Sequence, residues 1–261
     1  MGVQSRPVLV HTKGGIASIR FNRPDRLNAI SQELAQGFAE AVDHVLADPA
    51  IQVVIIAGEG RAFMAGADLA RFRNSADAAA VAAELIDPTH AALSKLNAAS
   101  KVTLGSVKGP VAGAGLSIAL GLDLVIAAED TVFNFAYVRV AAPADCGGTW
   151  ALPRLVGYRR ALEIALLSRN VDAAEALRLG LVNHVVPPES LDAETIGLAE
   201  TLAQGPAVAQ GHIKQLMRGS FDRTYGAQLE AEKQAFLDCA RSSDFPEAID
   251  AFFAKRAPKF Q

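Results

Sequence analysis

The stretch that most constrains this chain is residues 108–128. An apolar run, residues 102–107, leads into it; Gly113-Ala114-Gly115 follows, then small and aliphatic residues from Leu116, then a second apolar run from Leu124. The pattern predicts strand, tight turn, short buried helix and strand. Small residues at such a turn let another molecule approach the backbone, and a helix beginning there presents unpaired N–H groups to a developing negative charge. The same glycines would also serve a helix packed tightly on a sheet. Two familiar readings are excluded. Leu116, Ser117 and Ile118 follow Gly115, so the third glycine of G-x-G-x-x-G is missing, and no Gly-Lys-Ser/Thr closes a phosphate loop. Ser117 is framed by Gly115 and Ala119, which is not the G-x-S-x-G elbow.

A chain of 261 residues with 51% hydrophobic content can bury one large α/β core or two small ones. Its longest apolar runs, such as residues 53–57 and 124–128, fall far short of the ~20 residues of a membrane span. A net charge of −3 with interspersed signs offers no basic stripe for nucleic acid. Cys146 and Cys239 form neither a disulfide framework nor a C-x-x-C metal or redox motif. The N-terminus shows no apolar signal core, so the expected location is the cytoplasm.

Residues 8–12 and 16–21 around Gly14-Gly15 predict an antiparallel hairpin. A polar loop with Arg23 and Arg26 follows, then a helix from an N-cap at Ser31 to about Leu46. Residues 52–57 predict a buried strand that runs into a second small-residue turn ending at Asp68, placed to cap the next helix. Residues 74–84 predict an Ala-rich surface helix or lid, and residues 88–99 a separate helix carrying His90. Beyond the central stretch, residues 132–140 predict a strand and its exit, 141–150 a loop, and 158–167 and 172–179 helices, with a last strand at 182–186. From residue 191 onward the pattern is purely helical, near 191–203, 206–217, 223–240 and 245–255.

Five ordered motifs resemble the crotonase (enoyl-CoA hydratase/isomerase) superfamily. They are Asn22-Arg23-Pro24 to Arg26-Leu27-Asn28; Ala62-Phe63-Met64-Ala65-Gly66-Ala67-Asp68; Ala112-Gly113-Ala114-Gly115 with Asp123; Gly147-Gly148-Thr149; and residues 173–182. The resemblance implies an α/β fold, a spiral of ββα units over residues 1–190, with a helical trimerisation region over 191–261. It further implies a coenzyme A thioester whose carbonyl oxygen sits between two backbone N–H groups, placed at Ala65 and Ala114. Coenzyme A, carried as part of the substrate, is the only cofactor expected, with no metal. Its contacts are implied at Arg26, Ala67, Asp68, Leu69 and Gly113, with Phe252 and Lys255 closing the nucleotide site. Trp150 and residues 74–90 are expected to wall the acyl pocket, and the assembly to be a homotrimer or a dimer of trimers.

Enoyl-CoA hydratases of this family carry two glutamates, at positions that here hold Ser117 and Tyr137. Hydration needs both carboxylates, so it is disfavoured. Asp145, just before Gly147-Gly148, is similar to the base of the phenylacetate-pathway isomerase branch, as are Thr149-Trp150 and residues 152–157. The implied reaction is a 3-enoyl to 2-enoyl shift, or one of ring-epoxide type, with Asp145 moving the proton. Two alternatives remain. A relative that dehalogenates 4-halobenzoyl-CoA uses Asp, an aromatic N–H and His where this chain has Asp145, Tyr137 and His90. A non-catalytic acyl-CoA-binding homologue would also keep both turns.

Overall fold

Strands β1 (Val8–Lys13) and β2 (Ile16–Phe21) pair antiparallel across Gly14-Gly15, whose positive φ angles suit a two-residue hairpin turn. In this computed structural model, which describes residues 6–260, the remaining strands of the main sheet run parallel. They are β3 (Val53–Gly58), β4 (Val102–Val107), β6 (Leu124–Ala128) and β9 (His184–Val186), giving the order β1-β2-β3-β4-β6-β9. A second sheet joins β5 (Pro110–Ala112), β7 (Val132–Asn134) and β8 (Val171–Asp172). β3 and β4 are buried along their whole length, which is why β3 reads as an unbroken apolar run, while β4 carries Thr103 and Ser106 among its apolar residues. Residues 1–5, where the sequence offers no signal core, lie outside the described residues.

Helix α1 (Gln32–Ala47) starts as expected, the Ser31 hydroxyl accepting the Leu34 N–H, and it buries Leu34, Phe38, Ala41, Val42 and Val45. Phe21 packs edge-on against both Phe38 and Phe63 at the centre of that core. α2 (Leu69–Arg73) follows the second small-residue turn. Where the sequence suggests a lid and a separate helix, the structure has one helix, α3 (Ala78–Ala98), running through Pro88. An internal proline removes a single backbone hydrogen bond. Here the continuous buried stripe Val81, Leu85, Thr89, Ala92 and Leu96 keeps the helix whole.

α4 (Ala114–Gly121) begins two residues earlier than the apolar run suggests. The expected strand at 132–140 shortens to β7, followed by a 3-10 turn at Tyr137–Val140. The expected loop closes early, because α5 (Gly148–Val156) starts right after Gly147, in left-handed conformation. The Gly-Gly pair and Pro153 conceal this helix in the sequence. α6 (Tyr158–Leu167) and α7 (Ala173–Leu179) form as expected, α7 capped by Asp172 and ended by Gly180.

The C-terminal helices divide in two by what they cover. α8 (Leu191–Ala203) seals the other face of the main sheet, with Leu191 and Ala199 against Val53, Ile55, Leu104 and Ile126. α9 (Ala207–Gly219) is locked on by Lys214, which reaches Asp123 at 3.0 Å and the carbonyl oxygens of Leu96 and Lys101. Arg218 grips the same carboxylate at 2.6 Å. α10 (Tyr225–Arg241) packs on α9 and α11 (Asp244–Phe253) on α10, leaving Phe236, Phe252 and Phe253 exposed. Among the described residues no helix is long and apolar enough to cross a membrane.

Candidate active site

The two small-residue turns are brought together by backbone pairing. Asn28, fully buried, donates from its amide to the carbonyls of Glu59 and Ala62, tying the first loop to the second. Met64 then pairs with Val111, its N–H donating to Pro110 and its carbonyl accepting from Ala112. A Cβ on Gly115 would lie 2.3 Å from the Met64 carbonyl oxygen, so only glycine permits this approach. The turns touch at Gly66, where a Cβ would sit 3.9 Å from the Ala114 nitrogen.

One expected oxyanion donor is corrected by this geometry. The N–H of Ala65 donates to the Leu27 carbonyl at 3.0 Å and is not available. Two residues on, Ile30 pairs in parallel with Ala67, using the Gly66 carbonyl and the Asp68 N–H. In such a bridge the N–H of Ala67 itself faces away from Ile30, and among the described residues it has no hydrogen-bond partner. At the second expected donor, Ala114 is buried at the start of α4, and its N–H has no partner among the described residues.

One helical turn beyond Ala114, fully buried Ser117 begins a chain of hydroxyls. Its Oγ lies 2.9 Å from the Tyr137 hydroxyl, which donates to Asp145 Oδ1 at 2.5 Å. Burial, and then the Asp145 carboxylate, push the Tyr137 phenol far above its usual range, so it stays protonated and keeps donating. The same two causes raise the neighbouring Cys146 thiol. Gly148 completes the fit, since a Cβ there would lie 2.3 Å from Ser117 Oγ.

His90 approaches from α3, its Nε2 accepting the Cys146 backbone N–H at 3.0 Å. Among the described residues, His90, Asp145 and Cys146 are the group whose donor atoms, within 4.8 Å of one another, stand close enough to share a metal ion. Nε2 and Oδ1, however, already hold hydrogen bonds. A 310 Å³ cavity opens beside them, walled by Leu93, Leu96, Leu122 and Trp150, so the second half of α3 lines it and residues 74–84 do not. Arg154 stacks over the Trp150 ring, 4.1 Å from its centroid. A larger apolar cavity of 560 Å³ under α9 shares the Trp150 wall, and neither cavity is lined by Asp145, Ala67 or Ala114.

Of the expected coenzyme A contacts, Arg26 is exposed, and its guanidinium has no partner among the described residues. Asp68 stands at the N-cap position of α2, but its side chain does not cap. It binds Arg23 at 3.0 Å instead. Leu69 is exposed, and Gly113 sits in the turn with its N–H on Asn134. Phe252 and Lys255, at and just beyond the end of α11, are exposed, and no hydrogen bond, ion pair or ring contact joins them to the Ala67–Asp68 turn. The sequence reading missed Ala67 as a free donor, and Ser117 and Cys146 as partners in the site. The signal for Ser117 was its being the sole polar side chain in an otherwise apolar helix.

Unpartnered N–H groups on touching turns, with a single carboxylate held by hydroxyls nearby, define a site able to hold an oxyanion and move a proton. The chain belongs to the enoyl-CoA hydratase/isomerase family, whose sequence profile matches residues 11–261. It is 36% identical over 259 residues to 1,2-epoxyphenylacetyl-CoA isomerase of Escherichia coli (strain K12), covering 97% of each chain. A probable enoyl-CoA hydratase of Rhodobacter capsulatus is 32% identical, covering 94% of each. The crystal structure of an enoyl-CoA hydratase from Polaromonas sp. JS666 superposes with a TM-score of 0.92 at 30% identity, covering 97% of this chain and 99% of that one.

Proposed function

We propose that the protein is an enoyl-CoA isomerase that moves a double bond into or out of conjugation with a thioester carbonyl. The observation that carries this reading is the single carboxylate. Asp145 is fixed through Oδ1 by Tyr137, and hydroxyls rather than acids occupy the neighbouring positions. The thioester oxygen is held by the N–H groups of Ala67 and Ala114. Asp145 takes the α-proton, the dienolate charge gathers on that oxygen, and the same carboxyl returns the proton to the γ-carbon. Such a shift is proton-neutral and needs one base, whereas hydration must both activate water and protonate carbon.

The relatives divide between isomerases and hydratases, the E. coli protein and a trans-2-decenoyl-[acyl-carrier-protein] isomerase of Streptococcus mutans, 30% identical, supporting the first. A hydrolytic dehalogenation would require His90 to take a proton from water at Nε2, and the Cys146 N–H already occupies that atom. On the same reading the substrate is a coenzyme A thioester with Arg26 at its phosphates, and the exposed apolar side chains of α9–α11 serve a homotrimer or dimer of trimers in the cytoplasm. The test is conversion of a 3-enoyl-CoA to its conjugated isomer, followed by the absorbance of the conjugated thioester. Asp145→Asn should abolish turnover while thioester binding by calorimetry persists. Turnover retained in that variant, or rapid hydration of crotonyl-CoA by the wild type, overturns the assignment.

A further inference from the structure

We propose that His90 is a positioning residue for Asp145, acting through the backbone N–H of Cys146; the proposal rests on Asp145 being the base. Asp145 projects from a stretch without regular structure, residues 141–147, and the residue after it is strained. Cys146 has φ 52° and Gly147 φ 77°, so a side-chain-bearing residue is held in the left-handed region next to the acid. Such a conformation persists only where its surroundings over-determine it. Cys146 is buried, so its N–H cannot turn to solvent.

Two hydrogen bonds to side chains fix this corner. Tyr137 holds the carboxylate itself, and His90 holds the next N–H across 56 residues of sequence. His90 is on α3, a 21-residue helix packed against α1 and α4, so it offers a rigid anchor. Nε2 takes the Cys146 N–H through its lone pair, so that nitrogen carries no proton. The charged and titratable groups around the ring are the Asp145 carboxylate and Cys146 thiol on the loop, Asp87 one turn back on α3, and Arg218 across the cavity, itself bound to Asp123.

The experiment compares His90→Ala and His90→Gln in the isomerase assay over a range of pH, with thioester binding measured by calorimetry. Gln Oε1 can accept the same N–H but does not titrate. His90→Ala should lower kcat on the order of 10²-fold, the penalty of a misplaced catalytic group, with KM little changed, and His90→Gln should recover most of the loss. Should His90→Ala fail to fold, His90→Gln decides alone: kcat close to the wild type supports the brace, and a loss of about 10²-fold with thioester binding unchanged overturns it. Unchanged kcat in His90→Ala overturns the proposal, as does a His90→Gln variant as inactive as His90→Ala at every pH, which would make the imidazole a proton carrier. If Asp145→Asn stays active in the same assay, the isomerase reading itself falls; if it is dead while His90→Ala is active, only the brace falls.

Discussion

Ala114→Pro deletes one backbone N–H from the site and little else. Ala114 is the first residue of α4, where no intrahelical acceptor exists for its N–H and where proline's fixed φ already suits the helix. The preceding residue is Gly113, whose lack of a Cβ relieves the usual clash with the proline ring. Stability should therefore change by no more than about 1 kcal/mol. On the isomerase reading catalysis should change far more, because the donor is buried and would face a charge that develops only in the dienolate. Loss of one such donor lowers kcat about 10²- to 10³-fold, or roughly 2.7–4 kcal/mol. Turnover of a 3-enoyl-CoA would be read by absorbance, folding by urea denaturation, and binding of a saturated thioester by calorimetry. A variant that folds normally and keeps kcat within about tenfold, less than one oxyanion donor supplies, would refute the placing of the carbonyl oxygen at the start of α4.

Tyr137→Phe removes the donor to Asp145 Oδ1 and the partner of Ser117 together. A hydrogen bond to a charged group is worth about 1.5–3 kcal/mol, so kcat should drop roughly 10- to 10²-fold with little change in KM; an unchanged kcat would show that the acid is aimed without it. Burial, and then the Asp145 carboxylate, raise the native Cys146 thiol, so the folded state keeps a proton that the unfolded chain releases above about pH 8.5. That stabilisation is full below about pH 8.5 and declines as pH rises, by up to about 1.4 kcal/mol per unit. Urea denaturation at neutral and alkaline pH should show Cys146→Ser losing less than the wild type, and parallel losses would count against the buried thiol. Lys214→Met leaves the buried Asp123 carboxylate with Arg218 as its remaining cation. Breaking a buried pair costs about 3–5 kcal/mol, and the surviving Arg218 should hold the loss in the urea midpoint to the lower end. A loss below about 1 kcal/mol, the value of an exposed pair, would show that Lys214 does not key α9 to the core.

What the sequence reveals is what is locally encoded. The hairpin at Gly14-Gly15, the Ser31 and Asp172 caps and the apolar stripe of α1 each depend on residues within a few positions of one another, and each forms as read. α3 and α5 escape notice because proline and glycine argue for breaks that tertiary packing overrides. The choice between Ala65 and Ala67 is not local at all. It is made by Leu27 and Ile30, distant in sequence, which take the first N–H and turn the second outward. Asp68 likewise leaves the α2 cap for Arg23, 45 residues away. The meeting of Asp145, Tyr137 and His90 comes from the family resemblance, since no spacing joins them.

On the isomerase reading, Ser117 matters for leaving Asp145 as the carboxylate of the hydroxyl chain. α4 is apolar all round and almost wholly buried, so a carboxylate at that position would have to be desolvated beside Phe135 and the Gly148 backbone, with Ser117 Oγ already only 2.3 Å from where a Cβ on Gly148 would stand. A hydroxyl fits there because Tyr137 satisfies it, and Tyr137 in turn is pinned as a donor by its raised pKa. The chain of hydrogen bonds therefore ends on Asp145, the one member able to accept a proton from carbon near neutral pH. On the isomerase reading, the close approach of α4 and α5 that keeps residue 148 a glycine also sets the position of Asp145.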